Sequence, residues 1–354
     1  MGLTIFGVAM VYDASAVFAF EDFGDKFFFL KRQSIWAGLG LILGFIVSFI
    51  DYHHWKKLAK VGIVASAIFL ALVLLPGFSS EIYGARRRLS LPINIPLIEQ
   101  ISFQPSEFAK LSLILFLASF LNDKTGMRRA MIAVFLITVF GGLVMLEPDL
   151  GTTLNMVGAS MITLFLSPVS LFFTFLVTTV MGGAGAILAF SSEYRRNRLL
   201  SFVNPSVDKL GISYHINQVL IALGSGGLFG LGLGYSRQKY QYLPEVVTDS
   251  IFAVIGEELG FAGAALVVAV LFLLVWRGLN IAENSPDLFG KLLAGGITAL
   301  IGLQIVLNLG SMVTLVPLTG LPLPFISYGR SSLVINLVET GILLNISRFS
   351  RSNS

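Results

Sequence analysis

Residues 151–190 read GTTLNMVGASMITLFLSPVSLFFTFLVTTVMGGAGAILAF and contain no charged side chain. The hydrocarbon core of a bilayer is about 30 Å thick and is crossed by a helix of about 20 apolar residues. This run is therefore long enough for two crossings. Pro168 lies near its middle, where it would end one helix and allow a turn before the next. The stretch predicts two neighbouring membrane-spanning helices.

The same apolar character extends over the whole chain. Hydrophobic residues make up 55% of the 354 residues and charged residues 12%, whereas a soluble domain carries about a quarter charged residues. Because no polar stretch is long enough to fold separately, we expect one integral membrane domain, residues 1–354, of the all-α polytopic class. About ten transmembrane helices are predicted, over residues 2–19, 34–50, 61–76, 108–121, 130–146, 151–167, 169–190, 250–275, 291–312 and 331–347.

The orientation follows from the basic residues of the short loops. Lysines and arginines follow the second, fourth, eighth and tenth spans, and short basic loops lie on the cytoplasmic side. We therefore expect both termini in the cytoplasm and two large external loops at about 77–107 and 191–249. The net charge of +4 suits basic cytoplasmic loops better than a nucleic-acid-binding surface, which would show a basic stripe.

Unusual polar and glycine-rich strings lie in and beside the external loops. They are YGARRRL at 83–89, QPSEFAKL at 104–111, EPDLGT at 147–152, QVLIALGSGGLFGLGLG at 218–234, YLPEVVTDS at 242–250 and PLTGLPLPFISYGRSS at 317–332. Together and in this order they resemble the SEDS family (RodA, FtsW and SpoVE) over nearly the whole chain. Three positions differ from that family's usual pattern: Val247 replaces a histidine, Arg330 a glycine and Ser206 a tryptophan.

The resemblance implies a function and partners. Members of this family are peptidoglycan glycosyltransferases that polymerise lipid II outside the bacterial cytoplasmic membrane, and undecaprenyl diphosphate leaves. The protein partner is a class B penicillin-binding protein, a transpeptidase. No cofactor is certain, although a divalent cation, Mg²⁺ or Mn²⁺, could neutralise the departing diphosphate.

Asp249 lies where the second external loop meets the eighth span. Aspartate is favoured at helix N-caps, so capping is the simplest interpretation of this residue by itself. Glycosyl transfer needs a base that takes the proton of the attacking hydroxyl, and the resemblance places the family's essential acidic residue at this motif. We therefore predict Asp249 as the catalytic base, a role that is compatible with capping.

Three further charged residues are candidates for a polar substrate cavity. Glu107 and Lys110 are three apart at the start of the fourth span, so they share a face and can form an ion pair. A buried pair could be purely structural, because charges in a membrane need partners, or it could line the cavity. Asp149 is a good turn former between two spans, and the resemblance makes its motif part of the cavity.

Basic residues of the external loops are candidates for binding the diphosphate. Arg86, Arg87 and Arg88 could be a solvated run, yet a diphosphate is well matched by several guanidinium groups. The remaining substrate-binding candidates are Arg237, Lys239 and Gln218. The glycine run at 224–234 lacks the spacing of a phosphate loop, and we expect a close-packed, membrane-embedded or surface-lying amphipathic helix there.

Two other classes of function fit parts of this pattern. A lipid II flippase would also need many helices and a polar cavity, and a non-catalytic scaffold for the transpeptidase needs neither acid nor base. A transporter binds its substrate near the bilayer midplane, whereas the best constellation here is predicted at the outer face. That asymmetry and the family resemblance favour the enzyme.

Overall fold

The structure is a computed structural model that describes residues 1–75, 79–82, 85–95, 99–122, 126–190, 212–240 and 242–349, together with Arg196 and Phe202. Helices dominate the described residues, as predicted for a polytopic membrane protein. They are α1 (Gly2–Phe23), α2 (Phe28–Phe49), α3 (His53–Leu74), α4 (Pro105–Phe120), α5 (Met127–Leu146), α6 (Leu150–Leu166), α7 (Leu171–Phe190), α8 (Ile212–Ser225), α9 (Ile251–Glu283), α10 (Leu288–Met312) and α11 (Arg330–Phe349).

Every predicted span coincides with one of these helices. Seven of the described helices, α1, α2, α3, α5, α9, α10 and α11, are long and apolar enough to cross a bilayer, while α6 and the described apolar part of α7, Leu171–Ile187, are shorter. Helix α4 is also short. A polytopic membrane fold is therefore confirmed, and the number of ten crossings stays a prediction.

The chain divides into two compact units. The first comprises Met1–Ala37, Ala184–Leu273 and Gln304–Gly329, and the second comprises Gly38–Gly183, Leu274–Leu303 and Arg330–Ser354. Asp249 belongs to the first unit, whereas the candidates from Arg86 to Asp149 belong to the second. The single domain over 1–354 stays a prediction.

A small sheet was not foreseen by the all-α prediction. Within the loop that is predicted to be the first external one, β1 (Ser79–Ile82), β2 (Ala85–Ile95) and β3 (Glu99–Phe103) form an antiparallel sheet in the order β1-β2-β3. The register shifts between Ser90 and Asn94, where Pro92 lacks the N–H group that a regular ladder needs. The sheet is joined to α11, since the Arg330 Nη1 donates to Ser102 Oγ (3.0 Å).

Close helix packing in the second unit depends on small residues. A side chain at Gly341 of α11 would collide with the carbonyl oxygen of Gly44 in α2. A side chain at Gly44 would likewise meet the backbone at Leu337. Small residues let membrane helices approach until their backbones touch, and these glycines hold α2 directly on α11.

The predicted span 250–275 is not one continuous helix. Helix α9 is interrupted at Gly260, where φ is 66° and ψ is −169°. The break removes the helical partners of two carbonyl groups before it and two amide groups after it. All four are paired with the glycine run instead: Leu231 N to Glu257 O and Gly232 N to Glu258 O (both 3.0 Å), Phe261 N to Gly227 O (2.8 Å) and Ala262 N to Leu228 O (3.1 Å).

The prediction of a helix over 224–234 is therefore wrong. Helix α8 ends at Ser225, and four of the following glycines have positive φ, which a right-handed helix does not allow: Gly227 (55°), Gly230 (80°), Gly232 (100°) and Gly234 (86°). A side chain at Gly230 would meet the carbonyl group of Glu258. The glycines allow the chain to run directly along the break in α9.

Candidate functional site

Asp249 is held through its backbone in the first unit. Its carbonyl oxygen accepts a hydrogen bond from Asn308 Nδ2 (3.0 Å), which also donates to Leu321 O (2.8 Å). The Asp249 side chain is 8% exposed, and its Oδ1 accepts from Thr248 Oγ1 (3.0 Å). Because the backbone is fixed, the carboxylate has a defined position close to the start of α9.

The residues around Asp249 are fixed as well. Ser250 Oγ donates to Pro244 O (2.9 Å) and lies 2.6 Å from His215 Nε2. A hydroxyl has one proton to give, so we assign the hydrogen to His215 Nε2, which donates to Ser250. The Tyr328 N–H donates to Val247 O (2.8 Å), so the position at which the family usually has histidine contributes its backbone here.

The capping alternative for Asp249 is less direct than its sequence position suggests. The first residue of α9 is Ile251, which puts Ser250 immediately before the helix. The Ser250 carbonyl accepts from Ala253 N (2.9 Å), and this is the bond of a helical first turn. Asp249 lies one residue further out, where its charge still faces the positive end of the helix dipole.

Lys239 is enclosed by carboxylates. Its Nζ lies 2.8 Å from Glu258 Oε1 and 2.9 Å from Asp13 Oδ2. Burial by itself would lower the pKa of Lys239, but the hydrogen bonds to Glu258 and Asp13 outweigh this and raise it. A cation so well paired anchors the chain, and this geometry weighs against the predicted contact between Lys239 and a diphosphate.

Glu257 ties down the same part of the chain. Its carboxylate accepts from Ser236 Oγ (2.5 Å), from Arg237 N (3.0 Å) and from Gln238 N (3.3 Å). The Arg237 side chain is exposed, while Gln218 is half-buried on α8. The segment from Ser236 to Ser250 is thus held at its start by Glu257 and Glu258 and continues into α9 at its end.

Two of the three arginines of β2, Arg87 and Arg88, have described side chains. Arg87 donates from Nε to Glu147 O (3.0 Å) and from Nη2 to Pro148 O (2.5 Å). This binds the sheet to the turn between α5 and α6. Arg88 is exposed, and the side chain of Arg86 lies outside the described residues.

Sequence reasoning missed Glu147. Its side chain is 1% exposed, and neither carboxyl oxygen has a hydrogen-bond partner among the described residues. Burial, together with the nearby Asp149 carboxylate, raises the pKa of Glu147 to about 9, and Arg87 offsets only part of this. Glu147 is part of the EPDLGT string, but the feature that distinguishes it from other polar residues is its burial. Burial depends on tertiary structure and is not visible in the sequence.

Asp149 caps a helix. Its Oδ1 accepts from Thr152 N (3.0 Å) and its Oδ2 from Thr152 Oγ1 (2.9 Å), at the N-terminus of α6. The helix dipole also favours a negative charge there. Its turn position was predicted correctly, and any contact with substrate stays a prediction.

Glu107 and Lys110 form the ion pair that their spacing predicts. Lys110 Nζ lies 3.0 Å from Glu107 Oε2, and both side chains are 2% exposed. Helix α11, which packs on α4, carries the buried Glu339. Within the described residues, no group of three or more His, Cys, Asp or Glu side chains could together hold a metal ion.

Comparisons with known proteins identify the family. A model described as "Cell cycle protein", covering FtsW, RodA and SpoVE, matches residues 1–352. Stage V sporulation protein E of Bacillus subtilis strain 168 is 44% identical over 99% of this chain and 94% of its own length. A probable peptidoglycan glycosyltransferase FtsW of Trichlorobacter lovleyi is 41% identical over 98% of this chain and 91% of its own.

Solved structures agree with this assignment. A chain from the study "Structural coordination of polymerization and crosslinking by a peptidoglycan synthase complex" has a TM-score of 0.75 at 29% identity, covering 99% of this chain and 98% of its own. The rod shape determining protein RodA of Thermus thermophilus has a TM-score of 0.68 at 30% identity, covering 99% and 97%. The chain belongs to the FtsW, RodA and SpoVE family of cell cycle proteins.

Proposed function

We propose that this chain is a peptidoglycan glycosyltransferase that polymerises lipid II into glycan strands at the outer face of the cytoplasmic membrane. The observation that carries the proposal is the match along almost the whole chain to proteins named for this activity. The match extends over the polar and glycine-rich strings as well as the apolar helices.

The reaction is a single inverting displacement. The 4-hydroxyl of the GlcNAc in the acceptor lipid II attacks the anomeric carbon of the MurNAc at the end of the growing chain. A new C–O bond forms, and the bond from that carbon to the diphosphate oxygen breaks, so undecaprenyl diphosphate leaves. The α-linked donor gives a β-linked product, and the hydroxyl proton goes to a base.

Asp249 is our candidate for that base. Its carbonyl is anchored by Asn308, so the carboxylate needs little reorganisation when the hydroxyl arrives, and preorganised groups are the effective ones in catalysis. The neighbouring Thr248 hydroxyl lies within hydrogen-bond distance of both the Asp249 carboxylate (3.0 Å) and the Glu245 carboxylate (2.9 Å), so its one proton is shared between them. A base placed in this way contributes about 10²–10⁴ in rate.

The diphosphate needs positive charge, and we assign this role first to Arg88. Its side chain is exposed on β2 and therefore accessible to a ligand. Arg86, Arg237 and Gln218 remain further candidates. A divalent cation that accompanied the diphosphate would take most of its ligands from substrate oxygens and water, as Mg²⁺ often does.

The buried charges of the second unit are the candidates for a polar cavity. The Glu107–Lys110 ion pair has a 3.0 Å contact between Oε2 and Nζ, and such a pair can open to a sugar or remain structural. Asp149 is already occupied by Thr152. We therefore expect substitutions of the pair to affect substrate binding more than substitution of Asp149.

The assembly partner is proposed to be a class B penicillin-binding transpeptidase. The solved relative named for a peptidoglycan synthase complex combines polymerization with crosslinking, and crosslinking is the chemistry that a transpeptidase would supply. Both termini are proposed to lie in the cytoplasm, because the basic residues of the short loops favour that orientation.

The test is polymerisation of purified lipid II by the purified chain with its cognate transpeptidase, analysed by the length of the glycan product. Long strands are expected from the chain with its partner and none from the partner alone. If no strands form but labelled lipid II crosses the membrane of vesicles that contain the chain, the flippase alternative replaces the enzyme. If neither glycan strands nor lipid transport is observed, the alternative of a non-catalytic scaffold replaces the enzyme.

A further inference from the structure

The stretch 226–235 exposes large apolar side chains and carries no charge. It reads GGLFGLGLGY. Its most exposed member is Phe229, at 84%, and Leu228, Leu233 and Tyr235 are each exposed by more than half. A soluble surface rarely groups apolar side chains so closely, and a group like this marks contact with a protein or a membrane.

The backbone of this stretch is satisfied although it is not helical. Backbone N–H and C=O groups of the stretch form hydrogen bonds with the four backbone groups of α9 that lose their helical partners at Gly260. Within the stretch, Gly230 N donates to Gly226 O (2.8 Å). Irregular backbone enters hydrocarbon only where its polar groups are paired within the protein. The backbone groups of the stretch that are hydrogen-bonded to α9 meet that condition.

The stretch also borders a surface that must face lipid. Beyond Gly260, residues 261–283 of α9 would extend for about 34 Å at 1.5 Å per residue, which is enough to cross the hydrocarbon core. This half of α9 exposes Phe261, Leu266 and Phe272. Because the Phe261 amide donates to Gly227 O, the stretch lies against the first turn of the crossing half.

Aromatic and basic residues at the end of the stretch and just after it are in an order typical of a membrane interface. Tyr235, Tyr240 and Tyr242 are exposed, and tyrosine is enriched where hydrocarbon meets water. The exposed Arg237 follows within the same segment. An amphipathic helix precedes the stretch, since α8 exposes Leu220 and Ile221, and helices of that kind lie in the interface.

We propose that residues 226–235 form a wedge that inserts Leu228, Phe229 and Leu233 into the acyl chains of the leaflet at which the crossing half of α9 begins. The occupant of this surface is lipid and not a partner protein, because the surface continues the lipid-facing side of α9. The predicted external loop 191–249 is then partly embedded in the membrane. The wedge also fixes the Ser236–Ser250 segment at the bilayer surface, where a lipid-linked sugar presents its head group.

The absence of cysteine allows a direct depth measurement. We would place a single cysteine at Phe229, attach a nitroxide and reconstitute the full chain, without its partner, in vesicles of phosphatidylcholine and phosphatidylglycerol. The collision rates of the label with oxygen, which concentrates in hydrocarbon, and with a water-soluble nickel complex report its depth. The references are cysteines at Phe272, on the crossing half of α9, and at the exposed Lys57.

The label at Phe229 is expected to match the label at Phe272, with frequent collisions with oxygen and few with nickel. A separate variant labelled at Leu233 controls for a local disturbance caused by the label at Phe229. Accessibility of the Phe229 label to nickel equal to that at Lys57 would overturn the proposal. If addition of the transpeptidase then removed this accessibility, the surface would be a protein-docking site. Shielding from both reagents would mean burial within the protein and would also overturn it. None of these outcomes depends on the proposed enzymatic activity.

Discussion

Arg87 and Arg88 are neighbours in sequence with different surroundings. Substituting each of them in turn distinguishes an effect on stability from an effect on ligand binding. Arg87 bonds two backbone carbonyls at the α5–α6 turn, whereas Arg88 is exposed on β2. We expect Arg88→Gln to weaken binding of undecaprenyl diphosphate by about 10- to 150-fold, because a hydrogen bond to a charged group contributes about 1.5–3 kcal/mol. The thermal midpoint should change little, as for most surface substitutions.

The measurement is a titration of both variants with the lipid diphosphate, alongside thermal unfolding in detergent. Arg87→Gln serves as the matched control, and it should lower the thermal midpoint. Parent affinity in Arg88→Gln would remove Arg88 from the list of ligand contacts.

Glu147 predicts a particular pH dependence of stability. Its folded pKa of about 9 lies above the ordinary value of 4.5, so between these values the folded chain holds a proton that the unfolded chain releases. Stability from this group is therefore complete below about pH 4.5 and is lost as the pH rises towards 9, by at most about 1.4 kcal/mol per pH unit. Glu147→Gln remains neutral and should lose less of its thermal midpoint between pH 6 and pH 8.5 than the parent. Equal losses in both proteins would show that Glu147 is ionised at neutral pH.

Some residue-level features follow from local sequence and others do not. The Glu107–Lys110 pair was predictable because residues three positions apart share one face of a helix. Lys239 and Asp13 are far apart in the chain, so their ion pair depends on tertiary structure. Glu147 was not singled out from the sequence, because its burial depends on how β2 and Arg87 cover the α5–α6 turn.

At the scale of elements, the break in α9 and the glycine run form one unit, and two glycines test it. Gly230 has a φ of 80° and its Cβ would collide with the Glu258 carbonyl, whereas Gly227 has a φ of 55° and open space around it. Gly227→Ala should cost about 1–2 kcal/mol, the penalty of a left-handed conformation. Gly230→Ala should lower the thermal midpoint further, because the backbone pairing with α9 must also shift. Equal effects of the two substitutions would contradict the close approach of the run to α9.

The elements predicted from hydrophobicity were the most reliable. Each predicted span overlaps a helix, since burying backbone polar groups in lipid leaves few alternatives, although α9 is interrupted at Gly260. The strands β1–β3 were missed because pairing between separate segments, which the local sequence does not show, decides their structure. The non-helical run at 226–234 was missed because its glycines were interpreted as packing residues of a helix, while the structure uses their positive φ.

At the scale of the whole molecule, the orientation is open to a direct test. If both termini are cytoplasmic, the segment before α9 is external and the loop before α3 is internal. Single cysteines at the exposed Tyr242 and Lys57 can be treated with a membrane-impermeant reagent in intact cells. Labelling is expected at Tyr242 and not at Lys57, and the opposite pattern would invert the topology.

The central claim is that this membrane chain polymerises lipid II with Asp249 as the base. The most direct measurement is the single-turnover rate of lipid II polymerisation by purified Asp249→Asn together with the transpeptidase. Asparagine keeps the size and hydrogen-bonding oxygen of aspartate but not its basicity, so the variant should fold, bind its partner and lose about 10²–10⁴ in rate. Asp249→Glu, which retains the carboxylate, should keep part of the activity. A rate for Asp249→Asn close to that of the parent would contradict the account.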